Sequence, residues 1–122
     1  MKIEKITYKN TEIAHIKSEE PIITDAQSAI DLMMTANYEA GTKNIAISKD
    51  LIVNEFFILS SGLAGEILQK FINYKFRIAI YGDYSKYTSK PLKEFIYESN
   101  SGRGVFFTEN LQTALEILSE NL

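Results

Sequence analysis

The sequence contains no cysteine and only one histidine, His15. Without cysteine the chain cannot form a disulfide, a thiolate metal site or a cysteine nucleophile. A single histidine also excludes the multi-histidine zinc sites that are common in proteins. We therefore expect no bound transition metal, no cofactor and no hydrolase activity.

An excess of basic charge and a long apolar run are missing as well. The 13 basic and 16 acidic side chains among 122 residues leave a net charge of −3, which does not indicate a nucleic-acid-binding face. No apolar run approaches the roughly 18 residues of a membrane-spanning helix, and Met1–Lys5 does not have the pattern of a signal peptide. We expect one cytoplasmic domain over residues 1–122, with neither nucleic acid nor membrane as a partner.

Strand and helix patterns alternate along the chain. Two short strands, at about 2–8 and 11–17, flank Lys9-Asn10, which suits a tight hairpin turn. The later elements are a helix ending at Gly41, strand segments 44–47 and 51–53, a helix at 63–74, a strand at 76–81, a helix ending near Asn100, a strand at 105–107 and a helix capped by Asn110. This β-β-α-β-α-β-α-β-α order predicts an α/β fold with a single mixed sheet and helices packed on it.

Two local patterns give finer predictions. Thr24-Asp25-Ala26-Gln27 has the spacing of a capping box, with Thr24 as the N-cap residue. Phe76–Tyr81 is almost continuously apolar, which is typical of a strand covered on both faces. We therefore expect this strand to be central in the sheet.

The segment Leu59-Ser60-Ser61-Gly62-Leu63, together with the element order, resembles the STAS domain of bacterial anti-sigma-factor antagonists. In that family a strand leads into an Asp-Ser-Ser-Gly-Leu turn that opens a helix, and the first serine is phosphorylated. Ser60 matches that serine, Ser61 the next hydroxyl and Gly62 the glycine, whereas Leu59 replaces the aspartate. The resemblance implies a non-enzymatic, regulatory protein-interaction module in which the phosphorylation switch at Ser60 is lost.

The chain is also similar, over nearly its whole length, to small bacterial proteins known as domain of unknown function 4180. Three segments carry this similarity: Gly-Leu-Ala-Gly-Glu-Ile-Leu-Gln-Lys-Phe at 62–71, Gly-Asp-Tyr-Ser-Lys-Tyr-Thr-Ser-Lys at 82–90, and Phe-Ile-Tyr-Glu-Ser-Asn at 95–100. That family brings no established activity with it.

Taken by their residue types alone, Ser60, Ser61 and Gly62 have two interpretations. The N-terminus of a helix presents free N–H groups and partial positive charge, so it can stabilise an anion or a phosphoserine. Plain N-capping by Ser60 or Ser61, with Gly62 providing the turn, explains the same residues and is the commoner situation. Ile58-Leu59-Ser60-Ser61-Gly62 does not match the nucleophile elbow Gly-x-Ser-x-Gly.

The polar loop Asp83–Lys90 offers an alternative function. It follows the predicted strand at 76–81, and ligands in open α/β sheets lie beyond the carboxyl ends of strands. Its hydroxyls and lysines could bind a small anionic ligand, although a loop that caps the next helix is the simpler interpretation. The candidate residues for this ligand are Asp83, Ser85, Lys86, Thr88, Ser89 and Lys90.

His15 lies within a predicted strand, between Ala14 and Ile16. A general base needs an orienting acid and a nucleophile nearby, and neither can be identified from the sequence. We therefore predict a half-exposed strand residue. We expect the partner to be an unidentified protein, bound at a surface that includes the start of the second helix. Association of the chain with a second copy of itself as a homodimer is left as an alternative.

Overall fold

The structure of the protein is a computed structural model that describes residues 1–120. Within these residues, five strands form one sheet in the order β1-β2-β3-β4-β5. The β1–β2 pair is antiparallel and the other neighbours are parallel, so the predicted α/β fold with a single mixed sheet is confirmed. The elements are β1 (Lys2–Tyr8), β2 (Thr11–Lys17), α1 (Ala26–Ala40), β3 (Asn44–Ser48), α2 (Leu63–Asn73), β4 (Arg77–Tyr81), α3 (Lys90–Asn100), β5 (Val105–Thr108) and α4 (Leu111–Leu118).

The β1–β2 hairpin has a two-residue turn. Lys9 and Asn10 both adopt left-handed backbone conformations, with φ of 47° and 65°, as a type I′ hairpin turn requires. Such a turn fixes the register of the two strands. The pairing runs from Tyr8↔Thr11 to Lys2↔Lys17 and places Glu4 opposite His15.

Helices α1, α2 and α3 cover one face of the sheet, and α4 packs against the other. Crossovers between parallel strands are nearly always right-handed, so strands laid down in sequential order place their connecting helices on one face. Helix α4 follows the last strand and returns over the opposite face, where it meets Ile13, Ala46, Ala79 and Phe106. Within residues 1–120 no helix is long and apolar enough to cross a lipid bilayer.

Strand β4 is an interior strand with cover on both faces. Ile78, Ala79 and Ile80 are at most 1% exposed, because the α1–α3 layer and α4 enclose them from opposite sides. The predicted burial of Phe76–Tyr81 on both faces is therefore confirmed. The strand in the middle of the five is β3, and β4 lies between β3 and β5.

The start of α1 differs from the prediction by one residue. Asp25, not Thr24, is the N-cap residue, and its carboxylate accepts a hydrogen bond of 2.7 Å from the N–H of Ser28. The hydroxyl oxygen of Ser28 accepts in return from the N–H of Asp25 at 3.0 Å. The capping box is thus formed by Asp25 and Ser28, since a carboxylate is at least as good an N-cap acceptor as a threonine hydroxyl. At the other end, Gly41 terminates the helix as predicted, with φ of 64°.

The predicted strand segment at 51–53 does not join the sheet. The Ser48 hydroxyl accepts from the N–H of Asp50 at 3.1 Å and starts a 3₁₀ turn over Lys49–Leu51 directly after β3. Only an isolated parallel bridge, Ile23↔Ile52, forms there. Two further 3₁₀ turns, Asn54–Phe57 and Leu59–Ser61, lead from this bridge to α2.

Candidate functional sites

The segment Leu59–Ser61 is a 3₁₀ turn directly before α2. The N-cap residue of α2 is Gly62, whose φ of 79° is a left-handed conformation that glycine adopts without strain. The Ser61 hydroxyl accepts from the N–H of Leu63 at 3.2 Å and donates to the carbonyl oxygen of Glu55 at 2.9 Å. Ser61 is therefore a structural residue that satisfies the first N–H of the helix.

Ser60 is exposed at the surface of this turn. Its hydroxyl makes no hydrogen bond with any of residues 1–120, in contrast to the neighbouring Ser61. Neither serine is the N-cap residue, so capping does not explain Ser60. A solvent-accessible hydroxyl thus stands two residues before the N-cap of α2.

Ser60 lines a groove with a volume of about 480 Å³. We call this the Ser60 groove, and its walls are Phe57, Ile58, Leu59, Ser60, Ser89 and Pro91. Ile58 is 57% exposed, which is high for an isoleucine. The structure thus brings Leu59 and Ser60 together with Ser89, which the sequence assigned to the alternative site.

Aromatic side chains anchor the 83–90 loop beside this groove. Phe57 stacks on Tyr87 with ring centroids 5.0 Å apart, and Tyr84 lies 6.2 Å from Phe57 and 5.8 Å from Phe107. The Tyr84 hydroxyl donates to the carbonyl oxygen of Ile80 at 2.6 Å, and burial raises the pKa of Tyr84 far above its ordinary value. The tyrosines of the loop are therefore partly buried and pack against the core.

Asp83 and Ser85 line a separate cavity of about 520 Å³ together with Glu109. The Asp83 carboxylate accepts hydrogen bonds from Ser85, including one of 2.9 Å from its backbone N–H, and these bonds lower the pKa of Asp83. Two carboxylates therefore face this cavity. Their charge opposes the binding of an anion there.

The other four residues proposed for anion binding do not meet at that cavity. Lys86 and Thr88 are exposed. Nζ of Lys90 lies 3.9 Å from Oε1 of Glu94 in an exposed ion pair. Ser89 is the N-cap residue of α3 and accepts from the N–H of Leu92 at 3.4 Å. The structure thus divides the six residues among a carboxylate-lined cavity, the helix cap and the surface.

His15 is buried, so the predicted half-exposed position is wrong. The residue is 6% exposed, and both ring nitrogens have a partner. Nδ1 lies 3.2 Å from Oε1 of Glu4, and Nε2 lies 2.7 Å from the hydroxyl oxygen of Tyr81. Glu4, His15 and Tyr81 form a chain of carboxylate, imidazole and phenol, which we call the His15 triad.

The sheet assembles this triad from three strands. Glu4 on β1 meets His15 through the hairpin register, whereas Tyr81 lies on β4, two strands away from β2. Ala46 on β3 pairs with both His15 and Ala79, and its small side chain leaves room for the imidazole and the phenol to meet above β3. Sequence reasoning could have found Glu4 from the two-residue turn, but not Tyr81, which depends on parallel pairing between distant segments.

The charges around the triad determine its protonation. Oε2 of Glu4 also accepts from Nζ of Lys17 at 3.3 Å, and the hydrogen bonds from His15 and Lys17 lower the pKa of Glu4. Burial, with a further contribution from Asp50, raises the pKa of Tyr81. At neutral pH the triad therefore holds an ionised Glu4 and a protonated Tyr81.

The lowered pKa of Glu4 makes its contribution to stability depend on pH. Since the pKa in the folded state lies below the ordinary value of 4.5, the contribution is complete above that value and is lost as the pH falls through the folded-state pKa. We expect Glu4→Gln to lower the free energy of unfolding near neutral pH and to have a much smaller effect in strong acid. Urea unfolding of both proteins at the two pH values measures this difference.

Glu39→Gln, which changes an exposed carboxylate of α1, is the matched control and should show no such pH dependence. An equal loss of stability from Glu4→Gln at both pH values would contradict an ionised Glu4 bound to His15 and Lys17.

No curated protein and no solved structure matches the chain. One family model, described as Domain of unknown function (DUF4180), matches residues 8–118. The matched region contains the Ser60 groove and two members of the His15 triad, His15 and Tyr81. None of the comparisons shows the STAS resemblance. Because the family model covers most of its length, the chain belongs to the DUF4180 family.

Proposed function

We propose that the protein is a regulatory protein-interaction module without enzymatic activity, and that it binds its partner in the Ser60 groove. The observation that carries this proposal is the exposed Ser60 hydroxyl beside an apolar surface formed by Ile58 and Leu59. A protein interface commonly combines a desolvated apolar centre with a polar rim. The groove offers both, since Ser60 and Ser89 stand beside its apolar walls.

The STAS resemblance supports the proposal that this surface derives from one whose partner binding was controlled by phosphorylation of the serine. The element order is that of the resemblance, but two 3₁₀ turns separate β3 from the Leu59–Ser61 turn, where the family has a strand leading into its turn. We propose that a phosphate on Ser60, two residues before the N-cap of α2, would meet the N-terminus of that helix. Leu59 takes the place of the family's aspartate and adds apolar wall to the groove. We therefore propose that partner binding is constitutive and that the phosphorylation switch is lost.

The groove also indicates the chemistry of the partner. Its walls are largely apolar, so the inserted group is an apolar side chain. Lys90 lies between the wall residues Ser89 and Pro91 in sequence, but it does not line the groove, and its Nζ lies 3.9 Å from Oε1 of Glu94. The partner that we propose is a protein segment with an apolar anchor.

A negative charge at the turn is expected to abolish this interaction. Ser60→Asp and Leu59→Asp place a carboxylate against apolar partner surface, where it loses hydration without gaining a cation. Ser60→Ala keeps the surface apolar and should bind as the wild type does. The measurement is capture of the partner from the native cell, followed by calorimetric titration of the purified partner. We expect the two aspartate variants to bind at least about tenfold more weakly, which corresponds to about 1.4 kcal/mol.

Ser101→Asp is the control, because Ser101 is an exposed serine at the end of α3 that does not line the groove. Circular dichroism of each variant establishes that the fold is intact. Equal affinities for the wild type and both aspartate variants would refute the proposal. Self-association that Ser60→Asp abolishes would identify the partner as a second copy of the chain.

Binding of a small anion by the Asp83–Lys90 loop is the weaker alternative. Asp83 and Glu109 both line the cavity at this loop, and their charges repel an anion. Saturable phosphate binding that Lys86→Met or Lys90→Met removes would favour this alternative over the interaction module.

A further inference from the structure

A second polar cavity, of about 290 Å³, opens where β2, β3 and β4 end. In open α/β sheets, ligands bind beyond the carboxyl ends of the strands. This cavity shares no lining residue with the Ser60 groove. We call it the strand-end cavity, and its lining residues are His15, Ile16, Lys17, Ser18, Ser48, Asp50, Leu51 and Tyr81.

Hydrogen-bond donors dominate among the polar groups of this cavity. The hydroxyl oxygen of Ser18 accepts from the N–H of Glu20, and that of Ser48 accepts from the N–H of Asp50, each at 3.1 Å. Because each oxygen already accepts a hydrogen bond, each hydroxyl can donate its hydrogen to a ligand. Lys17 has three N–H donors, and the structure directs its ammonium group to one Glu4 oxygen. A ligand rich in acceptor oxygens therefore fits the cavity.

The acceptor in the cavity that could oppose an anion is Asp50. Its side chain is 82% exposed, and Oδ1 lies 3.6 Å from Nζ of Lys49. The carboxylate thus stands in solvent beside a cation, where water screens its charge.

The His15 triad decides whether Tyr81 can join these donors. With a neutral imidazole, Nδ1–H donates to Glu4 and Nε2 accepts the O–H of Tyr81, so the phenol does not donate into the cavity. When His15 gains a second proton, Nε2–H donates to the Tyr81 oxygen. The O–H of Tyr81 is then free to donate to a ligand, and the ionised Glu4 balances the imidazolium charge.

We propose that the strand-end cavity binds a small carboxylate and that binding is coupled to the uptake of one proton at His15. The carboxylate oxygens accept hydrogen bonds from Lys17, Ser48 and Tyr81. The proton comes from solvent and stays on the imidazole, and no covalent bond to the ligand forms or breaks. The volume of the cavity suits an acid of a few carbon atoms.

The charged and titratable groups near His15 are compatible with this coupling. Helix α4 packs on the same face of the sheet, but its Glu116 is bound to Tyr8 and Lys9 at the hairpin end. The groups that contact or line the triad and its cavity are Glu4 on β1, Lys17 on β2, Asp50 after β3 and Tyr81 on β4, with Lys49 beside Asp50. Lys2, Glu19 and Glu20 lie next to Lys17 and Ser18 in an adjoining cavity. Protonation of His15 adds one positive charge to these groups for an incoming anion.

Because His15 is the only histidine, its imidazole resonances report on the site directly. Sodium acetate, lactate and succinate serve as probes, with sodium chloride at equal ionic strength as the reference. We expect a carboxylate to move the titration midpoint of the imidazole to higher pH. Affinity should fall about tenfold per pH unit between the midpoint of the free protein and the higher midpoint of the complex. Calorimetry in two buffers of different ionisation heat should give one proton taken up per carboxylate bound.

Tyr81→Phe removes the hydroxyl that links His15 to the cavity, and we expect at least about tenfold weaker binding with a weaker pH dependence, since only the charge of the imidazolium remains. Lys17→Met is a second variant at an exposed side chain and should weaken binding of the same probes. Tyr97→Phe, at a tyrosine that is 76% exposed on α3, is the matched control and should bind as the wild type does.

Three results would overturn the proposal: no response of the His15 resonances to any carboxylate, wild-type binding by Tyr81→Phe, or binding of phosphate in place of the carboxylates. Ser60→Asp should retain carboxylate binding, because Ser60 is not part of this cavity. Failure at one site is therefore distinguishable from failure at the other.

Discussion

Replacing Phe107 with alanine is expected to lower the free energy of unfolding by about 3–5 kcal/mol. Phe107 lies on β5 and is 6% exposed. Its ring centroid is 6.4 Å from that of Phe56, 5.8 Å from that of Tyr84 and 6.2 Å from that of Phe95. One side chain thus joins β5 to the turns before α2, to the 83–90 loop and to α3. Each of these segments also packs against other parts of the protein, so they cannot move fully into the space that the ring leaves, and a cavity remains.

Urea unfolding followed by circular dichroism measures this loss. Phe107→Leu keeps most of the apolar volume and should lose far less stability. Tyr97→Ala, at a tyrosine that is 76% exposed, should change the free energy of unfolding by about 0.5 kcal/mol or less. If Phe107→Ala were as mild as Tyr97→Ala, the ring contacts around β5 would not be those described.

Arg77→Met is expected to destabilise the fold by about 1–3 kcal/mol, because it removes the guanidinium donors to the carbonyl oxygens of Leu118 and Ile117 at the end of α4. Nη1 and Nη2 of Arg77 donate to the carbonyl oxygens of Leu118 and Ile117 at 3.1 and 3.3 Å, and Nε donates to that of Arg103 at 3.1 Å. The guanidinium also lies over the ring of Phe106, 5.5 Å from its centroid. A cation of β4 thus satisfies the last carbonyl groups of a helix, where the helix dipole favours positive charge.

Thermal and urea unfolding test this role of Arg77. Arg77→Lys keeps a positive charge but loses the planar arrangement of donors, so we expect a loss between those of the wild type and Arg77→Met. Arg103→Met is the control, because Arg103 is exposed and serves Arg77 through its backbone carbonyl. A loss from Arg77→Met no larger than that from Arg103→Met would show that the guanidinium does not hold α4.

Most of the element order could be predicted because its signals are local. Gly41 ends α1 with a left-handed conformation, Asn110 caps α4, and Pro91 lies in the first turn of α3. Each of these residues acts through its own backbone preference or through a neighbour three residues away. The segment at 51–53 has the composition of a strand, since its three side chains are apolar and those of Ile52 and Val53 are β-branched, but a 3₁₀ turn at Lys49–Leu51 changes the chain direction first.

The sites were less predictable, because they combine residues that are distant in sequence. The Ser60 groove joins the turn before α2 to Ser89 and Pro91 at the start of α3. The His15 triad needs the register of β2, β3 and β4, and the segments that connect these strands are long and contain α1 and α2. Local periodicity carries no information on such a register. Of the two partners of His15, only Glu4 could have been found from a local feature, the two-residue turn at Lys9-Asn10.

The position of α4 has a consequence for how the chain matures during its synthesis. Among residues 1–120, α4 is the only helix over the face formed by Ala46, Ala79 and Phe106. A ribosome delivers the N-terminal segments first, at about 5–20 residues per second. Strands β1 to β4 precede α3, β5 and α4 in the chain, so they can associate before Leu111–Leu118 is available to cover this face. Until that helix packs, the apolar face formed by Ala46, Ala79 and Phe106 stays exposed to water and open to association with other apolar surfaces.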